Sequence, residues 1–271
     1  MTFNVRYDEP SDGRHAWPNR RALALRLMRE HAADLIALQE PTAGQWADIA
    51  AALPDYTAFG RSHIDDWSDG DLPGGLFVTR RFAPRGGGVF WLSDTPTIPN
   101  SESWPHDWGP RACAWVRLYD QDAGRSLLFA STHFDTNAAA WLPSARVVRA
   151  ELDKAAAGAS IVLAGDFNCP AGAAAHRYLC VDGGYRDAWL DAGCSDDRAV
   201  TYNGFTGAVR IPDAAEGSPY PPDAFACGNY RIDWILVKGA LDSVTASIDV
   251  RREDVLASDH YPLVAQVDWS R

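Results

Sequence analysis

Ile161-Val-Leu-Ala-Gly-Asp-Phe-Asn-Cys169 is the stretch whose reading decides the fold. Its first four residues are apolar and two are β-branched; flanked by turn formers, they read as a short strand buried on both faces. The strand breaks off in Gly165-Asp166-Phe167-Asn168, with Pro170 close behind. Gly, Asp, Asn and Pro form turns in any protein, so taken alone the segment predicts a tight turn after a buried strand. A carboxylate and an amide at such a strand end also make a candidate site, and the rest of the chain decides between the two readings.

The same grammar, an apolar run ending in polar residues, recurs on both sides. Thr2-Phe-Asn-Val-Arg6, Leu35-Ile-Ala-Leu-Gln-Glu40, Leu127-Leu-Phe-Ala-Ser-Thr-His-Phe-Asp135, Tyr230-Arg-Ile-Asp-Trp-Ile-Leu-Val237 and Ser258-Asp-His-Tyr-Pro262 complete the set. In this order the six motifs resemble the endonuclease/exonuclease/phosphatase superfamily. Its members are metal-dependent phosphoesterases, among them DNase I-like nucleases, abasic-site endonucleases, inositol-phosphate phosphatases and sphingomyelinases. The resemblance runs from Asn4 to His260. It implies a DNase I-like, four-layer α/β sandwich, in which two mixed β-sheets pack face to face with helices outside. The strand and helix pattern alone also admits a doubly wound sheet.

Composition narrows the class. A chain of 271 residues, 46% hydrophobic and 23% charged, suits one globular domain over residues 1–271, without linker or repeat. No apolar run approaches the roughly 20 residues that cross a bilayer. Against 25 Lys and Arg stand 36 Asp and Glu, a formal charge of -11, and such a field repels polyphosphate. That disfavours nucleic acid as a partner without excluding a nuclease, because a bound cation inverts the field locally. Cys113, Cys169, Cys180, Cys194 and Cys227 include no CxxC pair, so neither a zinc motif nor a disulfide framework is expected. A reducing, cytoplasmic setting follows from that usage and from the absence of a signal-peptide pattern at Met1. No oligomeric state is read from the sequence.

Element expectations follow from caps and spacing. Asn19 caps a helix over Arg20–His31, and Thr42 caps a second one ending near Ala52. Gly74–Thr79 and Gly88–Ser93 read as a strand pair, with three consecutive glycines at Gly86–Gly88 blurring its start. Residues 94–110 form a long loop carrying Trp104, His106 and Trp108. Strands are expected at Ala112–Tyr119 and Ser126–His133, then a helix opened by Pro143 and running to about Ala157. A loop or lid is expected between Tyr202 and Asn229, and strands at Arg231–Val237, Ser243–Val250 and Leu263–Trp269 close the chain.

Roles come from the resemblance. It implies that Glu40 is the main ligand of Mg²⁺ or Mn²⁺ and that Asn4 and Asp259 complete or support that shell. A strand-end hydrogen bond is the alternative for Asn4. Asp166 holds the attacking water as base or orienting group, Asn168 hydrogen-bonds a phosphoryl oxygen, and His260 contacts the phosphoryl group. Asp233 is expected to pair with His260, fixing its tautomer and favouring the imidazolium. His133 protonates the leaving group or contacts phosphate, and Asp71 is the candidate acid that orients it. Arg111, in Gly109-Pro-Arg-Ala-Cys-Ala-Trp, either clamps a phosphate bidentately or forms a sheet-edge salt bridge. Of the other histidines, His15, His31, His63 and His176 are expected at the surface and His106 against substrate.

Phe3-Asn-Val-Arg-Tyr-Asp8, Asp12-Gly-Arg-His-Ala-Trp-Pro-Asn-Arg20 and Phe90-Trp-Leu-Ser-Asp-Thr-Pro96 resemble a bacterial branch of the superfamily whose substrates are poorly defined. Thr132-His-Phe-Asp-Thr136 stands where that branch reads Thr-His-Leu-Asp-His, and Tyr202-Asn-Gly-Phe205 where it reads Thr-Phe-His-Gly-Phe. The core positions persist while these pocket-rim positions differ. A small phosphorylated substrate, such as a sugar phosphate or a phosphodiester, is the first expectation. A nuclease with the same apparatus comes second, and a non-catalytic binding protein on this fold last.

Overall fold

The computed structural model describes residues 1–60, 73–196, 199–208 and 231–270. Their strands are β1 (Thr2–Asn4), β2 (Leu35–Gln39), β3 (Tyr56–Phe59), β4 (Gly74–Val78), β5 (Phe82–Trp91), β6 (Ala112–Asp120), β7 (Arg125–His133), β8 (Ser160–Asp166), β9 (Arg186–Asp187), β10 (Asp233–Lys238), β11 (Leu241–Ile248) and β12 (Leu263–Trp269). The main helices are α1 (Trp17–His31), α2 (Ala43–Ala52) and α3 (Ala138–Ala156).

All seven residues of β8 are buried, and the two-residue alternation of a strand divides them between two cores. Ile161 and Leu163 pack outward with Leu128, Ala130, Trp234 and the α3 residues Val148 and Leu152. Val162 and Ala164 pack inward with Phe129, Ile235, Phe77 and Ala37. A third cluster joins Phe3, Ile36 and Leu38 to Leu23, Leu27 and Ile49 of α1 and α2. Three apolar cores require four layers, and the strand runs are continuously hydrophobic because both faces are covered.

The first sheet has the order β11-β12-β1-β2-β4-β3 and the second β5-β6-β7-β8-β10-β9. Parallel pairing occurs at β1–β2 and β7–β8, where the long helices α1 and α3 connect the strands. A parallel connection needs such a crossover, so α1 and α3 come to lie on the outer faces. Strands β1 and β2 then sit across from β7 and β8.

Local signals account for most boundaries. Thr42 and Gln45 form a reciprocal capping box at the start of α2. Helix α1 begins at Trp17 rather than Arg20, because Pro18 occupies the first turn, where its missing N–H costs nothing. Asn19 is inside that helix, its side chain reaching Gly13 O at 3.2 Å. Helix α3 begins at Ala138 with Asn137 as its cap, accepting from Ala139 N at 3.0 Å, so Pro143 lies within it and does not open it. Strands β4 and β5 are not a pair: β4 joins the first sheet and β5 the second. The short strands β3 and β9 carry too little pattern to be read from sequence.

The expected surface histidines are mostly not at the surface. His15 and His176 are buried, the latter 2.8 Å from Asp187, and half-buried His31 pairs with Asp249 at 2.7 Å. Cys113, Cys180 and Cys194 are free thiols, and Cys169 is buried. His63, Asp71, Cys227 and most of the expected loop between Tyr202 and Asn229 lie outside the described residues. Among the described residues no helix is long and apolar enough to cross a membrane.

Candidate active site

Strand register assembles the site. In the parallel β7–β8 ladder His133 lies opposite Asp166, and in the antiparallel β8–β10 ladder Asp233 lies opposite the same residue. All three share the parity of the inward-packing residues, so they emerge side by side on the face that meets the first sheet. From that sheet, the β1–β2 register sets Asn4 opposite Gln39, which brings Glu40 alongside.

Asn4 links the two sheets. Its Nδ2 donates to Glu40 Oε1 at 2.8 Å and to Asp166 Oδ2 at 3.0 Å, while its Oδ1 accepts from Arg6 N at 2.9 Å. Glu40 Oε2 accepts from Tyr7 N at 3.2 Å. Glu40 and Asn168 both adopt left-handed backbone, with φ of 65° and 50°. Asparagine tolerates that region, but for a glutamate it costs about 1–2 kcal/mol, a strain that the surrounding contacts must hold.

Asp166 is the hub. Its Oδ1 accepts from Asn168 N at 2.9 Å, and its Oδ2 lies 3.4 Å from His133 Nε2 and 3.6 Å from His260 Nε2. The opposite nitrogen of His260, Nδ1, is 2.9 Å from Asp233 Oδ2. Burial works to raise the Asp166 pKa, but the positive His260 and the contacts with His133 and Asn4 outweigh it and hold the carboxyl well below its usual range. Burial likewise works to lower the His260 pKa, yet Asp233 and Asp166 push it up to about 10. The two carboxylates thus favour the imidazolium form of His260. Asp166, Asp233 and His260 offer ligand atoms within 4.8 Å of one another, close enough to hold a metal ion.

Asn168 Nδ2 lies 3.1 Å from His133 Nε2 and donates to Phe134 O at 2.8 Å. Arg111 is buried, its Nη1 3.0 Å from His133 Nδ1 and its Nε 3.5 Å from Asp135 Oδ2. Asp259 is buried too, with Oδ1 3.1 Å from Ser258 Oγ and Oδ2 3.9 Å from Arg6 Nε. His106 approaches this cluster only through Asp135, at 3.8 Å.

Several contributors were not visible in the sequence. Arg20, fully buried on α1, donates to the carbonyls of Val5, Arg6, Tyr7, His15 and Ala257. It ties the segment after Asn4 to the segment before Asp259. Ser258 Oγ donates to Asn4 O at 2.7 Å and accepts from His260 N at 3.2 Å. Thr201 Oγ1 accepts from Ile232 N and Asp233 N. Asp135 accepts from the backbone N–H groups of Asp107, Trp108 and Asn137. Most are side-chain to backbone bonds between segments far apart in the chain, which leave no distinctive spacing, although an arginine on the otherwise apolar face of α1 was a signal open to reading.

The family model for the endonuclease/exonuclease/phosphatase family matches residues 1–260. The chain belongs to that family. Among solved structures, a mannosyl-6-phosphatase of Bacteroides thetaiotaomicron VPI-5482 is 24% identical with a TM-score of 0.84, covering 99% of this chain and 98% of that one. An endonuclease/exonuclease/phosphatase of Bacteroides vulgatus is 24% identical with a TM-score of 0.84, covering 99% and 97%. A functionally unknown conserved protein of Enterococcus faecalis V583 is 26% identical with a TM-score of 0.82, covering 99% and 98%. No curated protein sequence matches the chain.

Proposed function

We propose that the protein is a divalent-metal-dependent phosphoesterase that hydrolyses a small phosphorylated molecule, of the sugar-phosphate class. The observation that carries this reading is Asp166, an ionised carboxylate held between Asn4, His133 and the imidazolium of His260. An ionised, buried carboxylate beside two imidazoles can orient a water and accept its proton as the water oxygen attacks phosphorus. The His260 imidazolium, kept charged by Asp233, faces the same point and offsets charge on a phosphoryl oxygen. Asn168 supplies an amide donor there. His133, beside Asp166 and Asn168, either protonates the leaving oxygen or contacts the phosphoryl group in this reading.

The residues fit a hard divalent cation. Glu40, half-buried, together with Asp259 offers carboxylate oxygens of the kind Mg²⁺ and Mn²⁺ prefer, and Asn4 supports that shell by donating its Nδ2 to Glu40. Asp166 and Asp233 lie close by as further carboxylates. Bound, the cation supplies charge neutralisation at the phosphoryl group.

A compact substrate is favoured by the net charge of -11, which opposes the long basic track a polynucleotide requires, and by the similar Bacteroides mannosyl-6-phosphatase. The test is hydrolysis of sugar phosphates, p-nitrophenyl phosphate, bis(p-nitrophenyl) phosphate and oligonucleotides, with Mg²⁺, Mn²⁺ or chelator. Chelator-sensitive turnover that prefers a sugar phosphate is the expected result. Preference for oligonucleotides would replace the substrate class, and inactivity of metal-loaded protein on every ester would defeat the reading.

A further inference from the structure

The three glycines Gly86–Gly88 have no part in the active site, and they shape a second feature. Between Pro84, paired with Leu118, and Gly87, paired with Val116, the β5–β6 register slips. Arg85 and Gly86 together face the single residue Arg117, which is a β-bulge of the kind that re-aims a side chain. Gly86 has a φ of 121°, open in practice only to glycine. A Cβ on Gly87 would stand 2.8 Å from Trp115 O, so only glycine allows the strands this approach.

The bulge opens onto a cavity of about 580 Å³ lined by Arg85, Arg117 and Arg125 with Ser126, Trp269 and the end of α3. Among the described residues no carboxylate side chain lines it, in a protein of net charge -11. The Arg117 Nε is shielded and without a hydrogen-bond partner, an expense that a bound anion relieves. Arg85 and Arg125 lie over the rings of Tyr119 and Trp269, which brace their guanidinium groups; Arg125 Nη1 also donates to Ser270 O and Arg117 Nη2 to Arg85 O, so each guanidinium keeps only part of its donor set for a ligand. Asp120 beneath Trp269 is already engaged by Arg81 and by the Trp269 Nε1. The carboxyl end of α3 carries only about half a negative charge, against three full positive charges.

We propose that this cavity is a second anion site, binding a small polyanion with two or more phosphoryl groups. Three guanidinium forks match several phosphoryl oxygens at once, and the volume exceeds what one phosphate fills. Arg125 begins β7 and His133 ends it, so the cavity lies about 26 Å from the catalytic end of the same strand at ~3.3 Å per residue. The site does not depend on the phosphoesterase reading.

The experiment is calorimetric titration of pyrophosphate into metal-stripped protein at physiological salt, with no free chelator present. Wild type and Asp166→Asn are expected to bind alike, whereas Arg117→Ala and Arg125→Ala each weaken binding roughly tenfold or more, as loss of a charged hydrogen bond implies. Hydrolysis by Arg117→Ala in the presence of metal stays at the wild-type level. Should Arg117→Ala fail to fold, Arg85→Glu, exposed on the bulge, reads the same site. Absence of saturable binding by wild type, affinity unchanged in the arginine variants, or binding lost in Asp166→Asn overturns the proposal.

Discussion

Replacing Asp166 by Asn changes one atom in the hub and removes the charge on which the proposed chemistry depends. In the wild type both carboxylate oxygens accept: Oδ1 from Asn168 N at 2.9 Å, and Oδ2 from Asn4 Nδ2 at 3.0 Å with His260 Nε2 at 3.6 Å. An amide has one acceptor and one donor side, so either orientation sets an N–H against another N–H. The lost attraction to the imidazolium at that separation is worth roughly 4–5 kcal/mol at an effective dielectric constant of about 20. Removing a positioned base costs about 10²–10⁴-fold in rate, or about 3–5 kcal/mol of barrier, the same scale. We therefore expect kcat on the best ester of the panel to fall by about three orders of magnitude. Metal affinity, measured by calorimetry, should change little because Glu40 is untouched, and circular dichroism should show a folded protein. A folded, metal-binding variant that retains kcat within about tenfold of wild type would refute the base or orienting role of Asp166.

Three further outcomes test other parts of the site. Glu40→Gln keeps the shape but not the charge, and should raise the metal concentration needed for half-maximal activity about 10–100-fold; an unchanged metal dependence would move the principal ligand elsewhere. Asp233→Asn removes the carboxylate that helps hold His260 at about 10, so the alkaline limb of the pH–rate profile should shift toward neutrality, and an unmoved limb would sever His260 from it. Because the folded pKa of His260 is raised from 6.5 to about 10, its stabilising contribution is fully present below about 6.5 and lost as pH rises through about 10. Arg20→Met leaves five backbone carbonyls without their shared donor and should cost about 3–5 kcal/mol in denaturant unfolding; a loss below about 1 kcal/mol would show that water replaces the guanidinium.

The buried arginine also bears on how the site is held. Asn4 and Asp259 are separated by nearly the whole chain; the β1–β12 ladder joins their strands at Thr2 and Leu263 and leaves side chains to tie the loops that follow β1 and precede β12. Arg20 bridges them with bonds to Val5 and Ala257, and Ser258 adds a second tie to Asn4 O. A substitution at either residue is thus expected to disturb the metal side of the site before it disturbs the cores.

Sequence by itself determined the strands and the chemistry at their ends. Alternation in Ile161–Ala164 and in Leu127–Ala130 demands two apolar faces, and residues such as Asp166, His133 and Asp233 stand where those patterns stop, so strand-end polar residues were legible one motif at a time. It did not reveal that Gly74–Thr79 and Gly88–Ser93, which read as a strand pair, fall in different sheets, because pairing partners are chosen by packing between layers, which leaves no local signature. Nor do turn formers reveal that Arg85 and Gly86 bulge against Arg117, or that the guanidinium of Arg20 turns inward. Those depend on contacts among residues far apart in the chain. The tertiary structure alone set Asp166 between His133 and Asp233, because register and parity, fixed by the buried faces of β7, β8 and β10, convert three separate strand ends into one charged cluster.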